Sequence, residues 1–196
     1  MNNAHTFQRI TAYMIDIILI SFITVLITMG IPTSQKYKDA EKQSATLIED
    51  YTKNKINEKE YLDKLNETRY IIGKEGIAIS LVSVVITFGY FAGFTFYNKG
   101  QTLGKKLLHI KLVTKDDKEV SHLQTIARAM IHNSCLTSIL SIIFLLFIKL
   151  SQYMYTVGVL ELIQSIVMIS SFIMIICRND RRGIHDLICG TKVVQC

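Results

Sequence analysis

Two acids and one arginine stand where an apolar chain tolerates them least. Asp16 lies within the run from Ile10 to about Ile31, Glu161 lies within a run from about residue 155 to 177, and Arg9 stands at the edge of the first run. A carboxylate in hydrocarbon costs about 2.5–3.5 kcal/mol on insertion scales, so each acid is expected to face protein or water. Such a group has two chemical uses. It can bind a proton or a sodium ion, because desolvation raises a carboxylate pKa toward neutrality, or it can hold a fixed cation and pin two elements together. Arg9 precedes Asp16 by seven residues, close to two helical turns, so they share one face yet lie about 10 Å apart along the axis. That is too far for a direct ion pair, and each needs its own partner.

The elements that must position these groups are bilayer-spanning helices. Hydrophobic residues make up 49% of the 196 and charged ones only 19%, below the roughly 25% of soluble domains, and the charges fall between apolar blocks. Spans are expected at about residues 10–31, 77–97, 134–148 and 155–177, against the roughly 20 residues a bilayer requires. The third is short unless the helix before it dips into the membrane. The long first run, its internal Asp and the lack of a small-residue cleavage site argue against a cleavable signal peptide. Gly89-Tyr-Phe-Ala-Gly93 in the second span has small-xxx-small spacing, which fits a tight helix contact or the ordinary frequency of glycine in spans. The chain therefore reads as one domain over residues 1–196, an all-α membrane protein with four transmembrane helices.

Charge sets the sides. Residues 98–133 hold seven Lys/Arg against three acids, and the tail from Arg178 holds four against two. The positive-inside rule places both on the cytoplasmic side, N-in and C-in, in contact with anionic headgroups of a cell membrane. Residues 33–76 carry nine Lys/Arg and nine Asp/Glu and are then external. Leu47, Ile48, Tyr51, Leu62 and Leu65 fall at helical spacing there, and Asn57 with Glu60 fits a cap, which predicts a helical hairpin or helical extensions of the flanking spans. Ser121 with Gln124 opens a helix through Arg128 to about His132, lying at the cytoplasmic interface. Lys149 to Tyr153 reads as a polar break before the fourth span. Leu107–Val113 and Thr191–Val194 have strand-like composition and could pair below the membrane, after Gly190 stops a short helix.

Several chemistries are excluded. Gly100-Gln-Thr-Leu-Gly104-Lys-Lys has three residues between its glycines and Lys106 after Lys105, whereas a phosphate-binding loop needs four and a Ser or Thr. His109, His132 and His185 make no metal-ligand spacing with an acid, and His185 reads as a helix-surface residue. The four cysteines lack CxxC spacing and are expected as free thiols in a reducing compartment. No basic–aromatic interleaving suggests nucleic acid. No metal, cofactor or enzymatic activity is expected.

Gln8-Arg9-Ile-Thr-Ala-Tyr-Met-Ile-Asp16, Gly100-Gln-Thr-Leu-Gly104-Lys-Lys-Leu-Leu and Arg181-Arg-Gly-Ile-His-Asp186-Leu-Ile-Cys-Gly190-Thr together resemble the RDD family of membrane proteins. The resemblance covers nearly the whole chain except residues 33–76. The family takes its name from an arginine opening the first span, an aspartate within it and a second aspartate after the last span, positions matched here by Arg9, Asp16 and Asp186. It implies a bacterial or archaeal membrane protein, with transport of unknown ligands and sodium/proton exchange among the roles suggested for its members. Cys189 stands where alanine is often found.

Two functions follow. In a transporter or ion-exchange component, Asp16 binds H+ or Na+, Asp186 holds Arg9, and Glu161 is a second relay if it faces the bundle; four spans leave little room for a pathway, so such a protein is expected to be a homo-oligomer. In an accessory or assembly protein, Arg9, Asp16 and Asp186 form a fixed charge network with Arg128 or the Arg181-Arg182 pair.

Overall fold

A computed structural model describes residues 2–196. Helix α1 (Thr6–Thr28) starts one residue after His5, whose N–H is capped by the Gln8 side chain at 3.0 Å. It thus begins four residues before the expected span, because this cap precedes the apolar run, and ends three residues short of Ile31. Helices α2 (Gln35–Thr52) and α3 (Glu58–Glu75) form the expected hairpin, with the Asn57 side chain accepting the Glu60 N–H and Tyr51 stacked on Tyr61 at 4.8 Å. Only Leu47 of the five apolar residues singled out there is fully buried; Ile48, Tyr51 and Leu62 are exposed.

The second apolar stretch comprises α4 (Ile77–Phe88), a π-helical turn at Gly89–Phe94 and α5 (Thr95–Tyr97). Among the described residues, nothing beyond the local helix comes within 4 Å of a Cβ placed on Gly89 or Gly93, so the small-residue spacing serves no close helix contact among them. A short helix α6 (Leu103–Leu107) leads into β1 (Ile110–Thr114). Helix α7 (His122–His132) opens on the Ser121/Gln124 cap and bends by 65° into α8 (Cys135–Phe147), Ser134 turning the chain at φ +55°. Being only 13 residues long, α8 is too short to span by itself. The chain breaks at Ile148–Lys149, the start of the expected polar break, and helix α9 (Leu150–Cys177) takes in the rest of that segment, Leu150 to Tyr153. Then come α10 (Ile184–Ile188) and β2 (Thr191–Gln195), which pairs antiparallel with β1 with Leu112 opposite Val193. The amino-terminal residues join this element: Ala4 N–H donates to Val193 O, and Asn3 bridges Val194.

The described residues are mostly helical and include three helices long and apolar enough to cross a membrane, or four if α7 and α8 form one broken span. Along α9 only Val157, Ser171 and Ile175 are buried, and Ile163, Ile166, Ile169, Phe172, Ile173 and Ile176 face outward. In water such a surface would drive aggregation, whereas lipid solvates it. Inside, Ala4, Ala12, Ile110, Leu112, Val120 and Val193 pack the junction between α1 and the two strands, while Ile20, Phe91, Ala92 and Ala129 pack α1 against the π-helical turn and α7.

Candidate functional site

Along α1 the buried residues are Ala12, Asp16 and Ile20, four apart, so Asp16 belongs to the stripe facing protein. It is 1% exposed. Tyr90 OH donates to its Oδ1 at 2.6 Å, Gly104 N–H to the same oxygen at 2.8 Å, and Thr102 Oγ1 to Oδ2 at 2.5 Å. These donors are themselves ordered: Tyr90 OH accepts the Leu103 N–H and Thr102 Oγ1 accepts the Lys105 N–H. Neutral donors thus hold the acid, and both oxygens are used. Such bonds to a charged acceptor are worth about 1.5–3 kcal/mol each, enough to offset much of the cost of burying it. Gly104 makes the approach possible, since a Cβ there would lie 2.1 Å from the Ala12 carbonyl oxygen.

Asp186, in α10, is fully buried beside the start of α1. Arg9 Nη2 meets its Oδ2 at 2.5 Å, Arg128 Nη1 from α7 bonds its Oδ1, Gly183 N–H donates to Oδ2 at 3.2 Å, and Thr191 Oγ1 reaches Oδ1 at 3.4 Å. Arg9 also donates to the carbonyl of Arg181, whose φ of +51° aims that oxygen inward. Burial alone would raise the Asp186 pKa, but the Arg128 and Arg9 guanidiniums overcome it and hold the carboxyl well below its ordinary range. The acid therefore stays ionised at any physiological pH.

The structure joins Arg9, Arg128 and Asp186 in one cluster. It keeps Arg9 and Asp16 on separate partners, as their spacing requires. Arg182 instead holds backbone oxygens, of Thr191 at 2.9 Å and of Asp186 at 3.2 Å. Glu161 stays apart; it is exposed on α9 and borders a different groove, with Tyr153 and Gln164. Among the described residues no group of three or more His, Cys, Asp or Glu is placed to hold a metal. The four cysteines are unpaired, as expected.

One reading is corrected. His185 is not on a helix surface but 2% exposed, with Nδ1 at 2.8 Å from Ser171 Oγ and its ring 4.2 Å from that of His132. The sequence does not show this because α10 is little more than one turn, burying His185 and Asp186 and exposing Ile188. Burial, reinforced by Arg128, pushes the His185 pKa down to about 3 although Asp186 opposes the shift. A folded pKa below the unfolded value means that the unfolded chain takes up the proton first. Stability contributed by neutral His185 is present above about pH 6.5 and is lost as the pH falls toward 3. Thermal unfolding in detergent is expected to lose roughly 2 kcal/mol from this group between pH 6.5 and 5, and His185→Gln is expected to flatten that part of the profile.

Tyr90, Thr102, Gly104 and Lys105 were not singled out as site residues by the sequence reading. Thr102, Gly104 and Lys105 lie within the glycine motif quoted above, which was the available signal; Tyr90 gave none. A cavity of about 250 Å³ lies between the two aspartate sites, bordered by Arg9, Asp16, Lys105 and Arg128.

The fold and site define a membrane-type helical protein whose first and last helical elements are locked together by a buried arginine–aspartate cluster. The family model of the RDD family matches residues 3–190, nearly the whole chain, and the chain belongs to that family. No curated protein and no solved structure matches it.

Proposed function

We propose that this RDD family protein is a multi-pass protein of the bacterial cell membrane whose arginines and aspartates form a fixed structural lock, and that it acts as a non-catalytic accessory or assembly component. The supporting observation is saturation: both oxygens of Asp16 and both oxygens of Asp186 already accept bonds from the protein. A carboxylate that must coordinate and release a cation needs free lone pairs and a changing set of partners, whereas Asp16 is held by Tyr90, Thr102 and the Gly104 N–H, and Asp186 by two guanidiniums. The excess of basic residues in segments 98–133 and 178–196 supports a cytoplasmic face for both termini and contact with anionic headgroups, with the α2–α3 hairpin external.

One observation favours a second reading, cation or proton exchange by an oligomer: Asp16 borders the cavity. Reconstitution separates the two. Asp16→Asn keeps one oxygen for Tyr90 and Gly104 and turns the other contact toward Thr102 Oγ1, so it is expected to fold with a loss of about 1–2 kcal/mol. Liposomes carrying wild type or Asp16→Asn are expected to show the same background proton flux under a sodium or potassium gradient. Flux in the wild type that disappears in a folded Asp16→Asn would overturn the structural reading.

A further inference from the structure

The cavity between the two aspartate sites is built for a guest. Its wall carries Arg9, Arg128, Lys105 and Asp16; with Asp186, which is bonded to both arginines but does not line the cavity, the cluster sets three cations against two anions when Lys105 is protonated. The arginines share one carboxylate and Asp16 is satisfied by neutral donors, which leaves Lys105. Among the described residues, no acceptor lies within hydrogen-bonding or ion-pair reach of its ammonium. Three polar atoms on the same wall, His132 Nδ1, Asn133 Oδ1 and His185 Nε2, are buried without a hydrogen-bond partner, whereas buried polar groups ordinarily have one. The opposite wall is hydrocarbon from α1 and α9, including Ile10, Met168 and Phe172. Phe172 lines the cavity yet is 46% exposed, so the cavity reaches the lipid-facing surface there. Its place is the end of the bundle where α1 begins, α9 finishes and the strand pair packs, the end that carries the basic segments 98–133 and 178–196.

We propose that this cavity binds the headgroup of a monoanionic phosphodiester lipid with a hydroxylated head, phosphatidylglycerol in class, with its phosphate on Lys105 and its hydroxyls donating to His132 and Asn133. One excess positive charge matches one phosphodiester. About 250 Å³ is smaller than the usual 300–1,000 Å³ of a site that encloses a whole ligand, which suits a headgroup whose acyl chains leave past Phe172. Basic pockets between helices at the cytoplasmic side are a known way of holding anionic lipid. Burial and the nearby Arg128 and Arg9 push the Lys105 pKa down to about 7, with Asp16 and Asp186 opposing, as befits an ammonium without its counter-ion. The proposal does not depend on the structural reading of the aspartates, since a lock and an exchanger could each hold such a lipid.

The chain has no tryptophan, so Phe172→Trp places a single fluorophore at the cavity mouth. In nanodiscs of the full chain, phosphatidylglycerol with brominated acyl chains is expected to quench this tryptophan at a fivefold or lower mole fraction than brominated phosphatidylcholine. Lys105→Met is expected to abolish the preference, and Lys106→Met, on the exposed side of α6, to keep it. Excess soluble glycerol phosphate is expected not to displace the lipid. Equal quenching by the two lipids, a preference that survives Lys105→Met, or displacement by glycerol phosphate would each overturn the proposal. Should Lys105→Met fail to fold, native mass spectrometry of the wild type in an equal mixture of the two lipids decides: one retained phosphatidylglycerol per chain supports the site, and equal retention sinks it.

Discussion

Asp186→Asn is expected to destabilise the folded protein by about 3–5 kcal/mol, the cost of removing one partner from a buried ion pair. The magnitude follows from what the substitution leaves behind. Arg9 and Arg128 converge on one carboxylate, and without its charge two guanidiniums face each other out of water. Asparagine also presents an NH2 where at least one guanidinium requires an acceptor. Detergent-solubilised protein should lose its cooperative thermal transition or unfold at a much lower temperature. Acid should not mimic the substitution. Because the carboxyl titrates well below its ordinary range, its contribution is intact down to about pH 4, is lost progressively as the unfolded chain takes up the proton below that, and is gone by the depressed folded value. Any loss between pH 6.5 and 5 therefore belongs to groups such as His185. A full-length Asp186→Asn protein that melts like the wild type would show that the cluster does not hold the tail.

The second large effect is steric. Gly104→Ala is expected to cost about 3 kcal/mol or more. The new Cβ would sit 2.1 Å from the Ala12 carbonyl oxygen and 2.9 Å from Asp16 Oδ1, and the first of these atoms is backbone that no rotamer change can move. Helix α6 must then withdraw from α1. Withdrawal breaks the Gly104 and Thr102 bonds to Asp16, leaving a buried carboxylate with Tyr90 alone. Gly93→Ala is the control: its Cβ meets nothing within 4 Å, so it is expected to change stability by no more than about 1 kcal/mol. Equal melting temperatures for the two variants would refute the close approach of α6 to α1.

Much of this arrangement was legible beforehand. Helical spacing placed Arg9 and Asp16 on one face, a cap at Asn57 marked the start of α3, and strand-like composition in Leu107–Val113 and Thr191–Val194 marked the strands. These signals are local, each contained within a few residues. The donors to Asp16 were not legible as such, although two of them, Thr102 and Gly104, lie in a motif that the sequence displays plainly. Their role depends on contacts 86 and 88 residues apart, and that of Tyr90 on the extra residue of a π-helical turn, which rotates its hydroxyl toward α1. His185 was misjudged for the opposite reason. A five-residue helix shows no periodicity long enough to reveal which of its sides is covered.

The Arg9–Asp186 pair closes a loop of 177 residues. A ribosome makes the arginine near the start of synthesis and the aspartate near its finish. Arg9 and Arg128 must therefore wait, without their shared counter-charge, until every hydrophobic helix has been delivered to the bilayer. Completion of the lock is thus a late, post-insertion event, and a chain cut anywhere between α9 and residue 186 would keep all its membrane helices yet never acquire the contact that joins the first to the tail.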